Sequence, residues 1–156
     1  MKREYSGYPI IGVGAVVLDD NRILLVKRAN DPCKGCWSIP GGVVNYGESL
    51  VDAVSRELFE ETGLKAEPRG IIWVDNIIIY DKMDRVKYHY VIIDFLMKPR
   101  NDILKPGSDA ADVKWFRFGE VDKVKLTPST AKLVNYLRNN IKTIIVLPFN
   151  DNNSIC

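Results

Sequence analysis

The sequence predicts an α/β protein whose mixed β-sheet is flanked by helices. Three observations support that fold class: β-branched runs bounded by turn formers, two stretches of helical periodicity, and a length that suits a single domain. The chain has 156 residues, of which 46% are hydrophobic and 27% are charged, as in an ordinary globular protein. We expect one domain over residues 1–156, with its core at about 8–140 and an apolar tail at 141–156.

Runs of β-branched and aromatic residues predict the strands. They are expected at Ile10–Leu18, Ile23–Lys27, Trp37–Ile39, Gly70–Tyr80, Val86–Met97 and Val113–Arg117. Asp19-Asp20-Asn21 predicts the turn of a first hairpin, and the polar segment Asp81–Arg85 predicts the turn of a second. After the third strand, Pro40-Gly41-Gly42 reads as a glycine loop that leads into a helix.

Two helices are predicted, at Glu48–Thr62 and from an N-cap at Thr127 to about Asn140. Gly63 ends the first helix, because glycine tolerates the left-handed conformation found at helix ends. The apolar tail Ile141–Phe149 must be covered, either as a strand that closes the sheet edge or as a contact with another subunit.

The most specific feature of the chain is segment 42–64, GVVNYGESLVDAVSRELFEETGL. Its pattern is G-x5-E-x7-R-E-U-x-E-E-x-G-U, where U is a bulky apolar residue. Fixed residues at this spacing arise by chance at on the order of 10⁻⁸ per start site, given average residue usage. The fixed positions are Gly42, Glu48, Arg56, Glu57, Glu60, Glu61 and Gly63.

On the predicted helix, the same segment separates into an apolar face and an acidic face. The apolar residues recur every four positions and form one stripe toward the core: Leu50, Val54 and Leu58. Glu57, Glu60 and Glu61 have i, i+3 and i+4 spacing, so their carboxylates share a face and repel one another unless a cation lies among them. A solvated surface helix is the alternative, but the full pattern favours a site for Mg²⁺ or Mn²⁺, which prefer oxygen ligands.

This segment resembles the Nudix box, the signature of hydrolases that cut nucleoside diphosphates linked to another group. The resemblance covers residues 8–140 and implies a Nudix-type α/β/α sandwich with a mixed β-sheet. It implies metal ligands at the backbone carbonyl of Gly41 and at the side chains of Glu57, Glu60 and Glu61. It also implies that Arg56 pairs with a box glutamate and orients it for catalysis, while Glu48 is structural.

The general base and a further metal ligand are left partly open by the resemblance. Asp109 stands six residues before Trp115, where some family members place a metal-binding glutamate. Aspartate is shorter, and an acid in a surface loop is the alternative. We expect Glu57 or Glu61, rather than Asp109, to be the catalytic base.

Candidates for substrate binding lie outside the box. Arg28, at the end of the second strand, can reach a phosphate or a base, although exposed arginines usually do neither. Four aromatic side chains are candidates for stacking on a nucleobase, with Tyr46 and Tyr80 taken as the substrate-binding pair beside Trp73 and Tyr88. His89, among apolar neighbours, is expected to be a hydrogen-bonded structural histidine.

The cysteines give a weak signal. Cys33 and Cys36 form a lone CxxC, and only Cys156 and His89 could complete a zinc site. A thioredoxin-like motif would open a helix, whereas Pro40 and two glycines follow here. An adventitious disulfide or two free thiols in a loop are the favoured alternatives.

The expected function is a Mg²⁺- or Mn²⁺-dependent pyrophosphohydrolase. Segments His89–Phe95 and Asp109–Phe116 look like those of small microbial Nudix proteins similar to ADP-ribose pyrophosphatases, so ADP-ribose or a related nucleotide sugar is the expected substrate. Oxidised or other nucleoside triphosphates, as in the MutT type, and dinucleoside polyphosphates are alternatives. A non-catalytic nucleotide sensor on the same fold is the alternative from another class.

Charge and hydropathy bound the partners. A net charge of +2 with no basic tract argues against nucleic acid and against a membrane surface as partners. Neither a membrane-length apolar run nor a signal peptide is apparent, so a cytoplasmic location is expected. The apolar tail also allows a homodimer.

Overall fold

A computed structural model describes residues 3–107, 109–140 and 143–149. Its strands are β1 (Ile10–Asp19), β2 (Arg22–Arg28), β3 (Trp37–Ser38), β4 (Gly41–Val43), β5 (Ala66–Tyr80), β6 (Val86–Pro99) and β7 (Ala110–Arg117). Its helices are α1 (Leu50–Thr62), α2 (Pro128–Asn140) and a short 3-10 helix (Val121–Lys123). None of these helices is long and apolar enough to cross a lipid bilayer.

The sheet is mixed, as the sequence predicts. Its main path runs β3-β2-β1-β6-β5, with β4 paired to β1 and β7 paired to β2. The central pair, β1 and β6, is parallel from Ile10↔Tyr90 to Val17↔Met97, whereas the remaining pairs of named strands are antiparallel. The parallel pair requires a long connection, and this connection carries α1.

Each face of the sheet has its own apolar core. Val54 and Leu58 of α1 pack in a cluster with Val13 and Phe95, while Leu133 and other residues of α2 belong to a second cluster. Alternating residues of the central strand β1 enter opposite clusters, because successive side chains of a strand point to opposite faces. The architecture is therefore the expected α/β/α sandwich.

Helix α1 begins two residues later than the sequence predicts, because Ser49 rather than Glu48 opens it. Ser49 has an extended backbone, and its hydroxyl accepts a hydrogen bond from the Asp52 amide at 3.1 Å, which is the geometry of an N-cap. The other end is confirmed: Gly63 has φ 70° and donates its N–H to the carbonyl of Phe59.

The glycine segment before α1 is more regular than expected. Gly41 and Gly42 belong to β4 and pair with Gly14 and Val13 of β1. A Cβ built on Gly41 would overlap the carbonyl oxygen of Val13, so only glycine permits this approach of the two backbones. The sequence predicted a loop here because glycines have no side chains, so this strand shows no alternation of apolar and polar residues.

The described part of the tail lies against the edge of β5. Leu147 and Ile71 exchange two backbone hydrogen bonds, of 2.9 and 2.8 Å, in an antiparallel bridge. The ring of Phe149 packs edge-on against Phe95, with 5.4 Å between centroids. This single bridge supports the edge-closing alternative at Ile71. Residues 141–142 and 150–156, including Cys156, lie outside the described residues.

Candidate active site

Helix α1 presents its three predicted glutamates to different surroundings. The Glu57 side chain is only 16% exposed, Glu61 is half-buried, and the Glu60 side chain is 58% exposed. The 3.6-residue period places them on neighbouring faces, but the sheet covers only part of that surface. Glu57 and Glu61 therefore form the inner part of the site, and Glu60 lies at its rim.

The Glu61 carboxylate is the centre of the site. Its Oε2 accepts a hydrogen bond of 3.0 Å from the backbone amide of Gly41. Burial raises the pKa of Glu61 to about 7, against the lowering effect of the Gly41 hydrogen bond. The charges of Glu57 and Asp109 raise this pKa further and that of Arg28 lowers it, so all three groups lie within electrostatic reach. The structure thus brings together five of the residues singled out from the sequence.

The glycine that opens the box makes room for Glu57. A Cβ on Gly42 would overlap all three terminal atoms of the Glu57 side chain, Cδ, Oε1 and Oε2. The carboxylate therefore rests directly on the strand backbone, at a distance that any side chain would prevent. This contact gives the first fixed position of the pattern a physical role.

Arg56 connects the acids of the box. Its Nε and Nη2 donate to the two oxygens of Glu48 at 2.6 and 2.9 Å, and its Nη1 donates to Glu57 at 2.7 Å. Weaker contacts reach Glu60 at 3.3 Å and the carbonyl of Val43 at 3.2 Å. The hydrogen bond from Arg56 holds the pKa of Glu48 down, at about 2. Glu48 therefore fixes Arg56, which in turn orients Glu57.

The loop before β7 packs on the C-terminal end of α1. The amide of Gly107 donates to the Glu61 carbonyl at 3.0 Å, and the amide of Lys105 donates to the Thr62 carbonyl at 2.7 Å. A Cβ on Gly107 would overlap the backbone of Glu60. These contacts place Asp109 beside the site, although Ser108, between them, lies outside the described residues.

Arg28 ends β2 next to a loop closed by a Cys33–Cys36 disulfide. Of the two alternatives for this CxxC pair, the structure has the disulfide. The Nε of Arg28 donates to the carbonyl of Pro32 at 2.9 Å, which holds the half-buried guanidinium beside the loop. The loop thereby contributes to the position of a candidate phosphate ligand.

The candidate stacking residues do not gather at the carboxylates. Tyr46 is fully exposed in the segment before α1. Tyr80 pairs with Val86 at the tip of the β5–β6 hairpin, eight positions along β6 from Asp94, which is about 26 Å along an extended strand. Across the sheet, Asp94 pairs with Gly14, and Gly14 pairs with Gly41, whose amide donates to Glu61. Tyr80 therefore lies far from the Glu61 carboxylate.

The other aromatic candidates and His89 have structural partners. Trp73 packs against Tyr136 with 5.1 Å between ring centroids, and Tyr88 stacks on Tyr90 at 6.0 Å. His89 Nε2 makes a hydrogen bond of 2.9 Å with the side-chain oxygen of Asn76, as expected for a structural histidine.

Sequence reasoning missed Asp94, a carboxyl group in the centre of the sheet. It is 4% exposed, and burial raises its pKa to about 7, with a smaller contribution from the charge of Asp75. Asp94 Oδ1, Asp75 Oδ2 and Trp73 Nε1 are buried without hydrogen-bond partners among the described residues. The Nζ of Lys132 lies 3.9 Å from Oδ1 of Asp75. An acid inside the apolar run YVIIDFLM was the available signal.

The donor set fits a hard divalent cation. In the described part of the chain, no three acidic, histidine or cysteine side chains already converge on one point, and Arg56 forms ion pairs with Glu57 and Glu60. However, Glu57 and Glu61 offer carboxylate oxygens beside the Gly41 backbone, and Glu60 is exposed and weakly held. An all-oxygen set of this kind suits Mg²⁺ or Mn²⁺.

Comparison with known proteins identifies this arrangement. The family model described as the NUDIX domain matches residues 9–137 of the chain. This chain belongs to the NUDIX family. Segment 42–64, which resembles the Nudix box, lies within the matched range, and the fold around it is the NUDIX fold.

Two relatives illustrate the range of proteins to which this chain is similar in sequence. The chain is 36% identical over 118 residues to an ADP-ribose pyrophosphatase of Methanocaldococcus jannaschii, over 75% of this chain and 67% of that protein. It is 32% identical over 111 residues to a MutT-like protein of Streptomyces ambofaciens, over 70% of this chain and 64% of that one. The chain therefore spans about two thirds of the length of each relative.

Solved NUDIX structures agree in fold. The crystal structure of a MutT NUDIX hydrolase from Burkholderia pseudomallei has a TM-score of 0.72 and 30% identity, covering 82% of this chain and 97% of that chain. The NUDIX domain of Shewanella oneidensis NrtR, complexed with ADP ribose, has a TM-score of 0.70 over 86% and 89% of the two chains. At 24% identity, this second likeness bears on the fold alone.

Proposed function

We propose that this protein is a divalent-metal-dependent pyrophosphohydrolase that cleaves ADP-ribose or a related nucleotide sugar. The observation that carries the proposal is the grouping around Glu61: its carboxylate is bound to the Gly41 amide and lies within electrostatic reach of Glu57, Asp109 and Arg28. Acids for a metal and a guanidinium for a phosphate are the groups that cleavage of a pyrophosphate requires.

The predicted metal ligands are the Gly41 carbonyl, Glu57, Glu60 and Glu61, with Asp109 as a further candidate. When bound, Mg²⁺ or Mn²⁺ supplies charge neutralisation at the phosphate oxygens and a lower pKa for a coordinated water. Glu60 is at the rim and needs only to leave its 3.3 Å contact with Arg56 to turn inward.

Side chains of the protein supply the remaining catalytic and binding roles. Arg56 keeps Glu57 in place through the 2.7 Å hydrogen bond, so this carboxylate does not have to be ordered when substrate binds. Glu57 or Glu61 accepts the proton of the attacking water. Arg28 contacts a phosphate oxygen, which both attracts the substrate and fixes its orientation.

The similarity to a protein named ADP-ribose pyrophosphatase supports the choice of substrate. The MutT-like relative keeps (8-oxo-)nucleoside triphosphates as the second candidate, and dinucleoside polyphosphates are a third. A nucleotide sensor remains the alternative from another class. The cytoplasmic location stays a prediction, and a homodimer stays an arrangement that the apolar tail allows.

A substrate panel with Mg²⁺ or Mn²⁺ tests the proposal. ADP-ribose, 8-oxo-dGTP, dGTP and diadenosine polyphosphates are incubated with the purified protein, and products are separated by chromatography. We expect AMP and ribose 5-phosphate from ADP-ribose, and no products after addition of EDTA. Preferred turnover of a triphosphate would replace the substrate assignment, and binding of ADP-ribose without turnover of any compound would favour the sensor.

A further inference from the structure

The loop between β2 and β3 is a small covalent ring beside the site. Cys33 and Cys36 are joined by a disulfide across a sequence separation of 3, with their Cα atoms 5.5 Å apart. Cys36 is fully buried and leads directly into the buried Trp37, whereas Cys33 is half-buried. The function proposed above makes no use of this bond.

The ring and its first neighbour hold Arg28 by three hydrogen bonds. The amide of Arg28 donates to the Cys36 carbonyl at 2.9 Å, and the amide of Gly35 donates to the Arg28 carbonyl at 2.9 Å. The guanidinium Nε donates to the Pro32 carbonyl, also at 2.9 Å. Backbone and head group of this arginine therefore both depend on the conformation of the loop.

The same segment reaches the catalytic acids. The charge of Arg28 acts on Glu61, as its lowering effect on the pKa of that carboxyl indicates. The next residue, Ala29, donates its amide to the backbone carbonyl of Asp109 at 3.3 Å. A change in the loop thus reaches Glu61 through the charge of Arg28, and it reaches Asp109 through a backbone hydrogen bond.

We infer that the Cys33–Cys36 bond is a redox-sensitive control of Arg28, and hence of substrate affinity. The inference rests on the proposed function, in which Arg28 contacts a phosphate. With the disulfide intact, the ring fixes the Pro32 and Cys36 carbonyls, and Arg28 is ordered before substrate arrives. With the disulfide reduced, the loop gains conformational freedom, and binding must order the arginine at a cost in affinity.

The chemistry requires a dithiol as reductant. One thiolate of the dithiol attacks Sγ of Cys33, the less buried cysteine of the pair, and Cys36 leaves as a thiolate that takes up a proton. The second thiol of the reductant then attacks the reductant sulfur that is bonded to Cys33, and Cys33 is released as a thiol. The protein gains two electrons and two protons, and the dithiol becomes a cyclic disulfide.

The experiment compares oxidised and dithiothreitol-reduced protein in the ADP-ribose assay. Thiol labelling and mass spectrometry establish the redox state independently of activity. We expect KM to rise about fivefold on reduction while kcat changes little, because a contact present in both ground and transition states is weakened. Equal KM values for fully converted samples would overturn the inference.

Variants separate this ring from other thiols and from general loosening. Cys156→Ser keeps the response if the ring is responsible, since Cys156 lies outside it. The pairs Cys33→Ser/Cys36→Ser and Cys33→Ala/Cys36→Ala should show the high KM with or without dithiothreitol. Arg28→Ala should bind weakly in both redox states. A redox response that survives in Arg28→Ala would contradict the role of this arginine.

A binding readout distinguishes this inference from the proposed function. Calorimetric titration with inorganic pyrophosphate and Mg²⁺ needs no turnover, and Trp37 emission reports the loop, with Trp37→Phe as its control. Several-fold weaker pyrophosphate binding after reduction, in a protein that hydrolyses nothing, would support the control of Arg28 and contradict the hydrolase. Equal affinities with normal turnover would contradict only the redox control.

Discussion

Glu61 and Gly41 are twenty residues apart in sequence, yet the Gly41 amide donates a 3.0 Å hydrogen bond to the Glu61 carboxylate. This bond joins the last turn of α1 to strand β4, so one acid of the site is fixed to the sheet rather than to its helix alone. Glu57 is fixed in a different way, by Arg56 and by its contact with Gly42. The site is therefore ordered on both of its inner acids.

Removing the charge of either inner acid should abolish most activity without unfolding the protein. We expect Glu57→Gln and Glu61→Gln to lower kcat about a hundredfold or more, because each loses a metal ligand or the base. The measurement is steady-state kinetics, with circular dichroism to verify the fold. Asp52→Asn, on an exposed part of the same helix, is the matched control and should stay near wild type. Wild-type turnover in both Gln variants would exclude these roles.

Glu60 tests whether a rim acid joins the metal site. Its side chain is exposed and contacts Arg56 only at 3.3 Å, so Glu60→Gln should leave the free energy of unfolding almost unchanged. We nevertheless expect kcat to fall by orders of magnitude, since turning inward supplies a ligand. The readouts are kcat and the Mg²⁺ concentration for half-maximal rate. Full activity at low Mg²⁺ would remove Glu60 from the ligand set.

Gly42 should not tolerate any side chain. In Gly42→Ala the new methyl group overlaps the Glu57 carboxylate and must displace it, so kcat should drop about tenfold or more while the fold is retained. Gly119→Ala is the control, because a Cβ there meets no atom within 4 Å. Kinetics and thermal melting of the two variants check this, and equal activities would mean that Glu57 can move without consequence.

Glu48 and Arg56 should be energetically coupled. Their two hydrogen bonds are short and mostly shielded, so a double-mutant cycle with Glu48→Gln and Arg56→Lys should give a coupling energy of about 2 kcal/mol. Urea unfolding of the four proteins supplies the numbers. A coupling near zero would mean that solvent screens the pair, and Arg56 would then need another support to orient Glu57.

Asp94 predicts a pH dependence of stability with a defined sign. Its folded pKa of about 7 lies above the ordinary value of 3.8, so the folded state binds the proton more tightly than the unfolded state does. Protonated Asp94 therefore contributes to the free energy of unfolding, fully below about pH 4. This contribution is lost as the pH rises to about 7, and each unit of difference between the two pKa values corresponds to about 1.4 kcal/mol. Asp94→Asn stays neutral and should lack this decline.

Urea unfolding of wild type and Asp94→Asn at several pH values measures the effect directly. From about pH 4 to about pH 8, the free energy of unfolding of wild type should fall by a few kcal/mol relative to that of Asp94→Asn. Asp75 and Lys132 face the same region, so Lys132→Gln is measured as a control for their ion pair. Parallel curves for wild type and Asp94→Asn would show that this carboxyl is not the group responsible.

The sequence was most informative where structure is local. The burial of Val54 and Leu58 and the turn at Gly63 follow from helical spacing and from glycine's conformational range, so they were predictable. The acidic face was predictable for the same reason. The start of α1 was misplaced because Glu48 and Ser49 both suit a helix start, and only the side-chain contacts decide between them.

Contacts between distant segments were beyond sequence reasoning. The position of Tyr80 depends on the register of β5 and β6, which no single strand encodes. The hydrogen bonds from the Pro32 loop to Arg28 arise from a loop conformation rather than from periodicity. Asp94 interrupts an apolar run, but its burial beside Asp75 depends on the pairing of β6 with β5 and β1, which the run itself does not encode.

The parallel pairing of Ile10 with Tyr90 has a consequence for synthesis on the ribosome. The box and α1 leave the ribosome before β6, which supplies the second neighbour of the central strand. A nascent chain that already contains every box residue therefore has β4 beside Glu57 and Glu61 but still lacks β6, the parallel neighbour of β1. Such distant pairing slows folding, and the apolar face of α1 remains a target for chaperones until β6 has emerged.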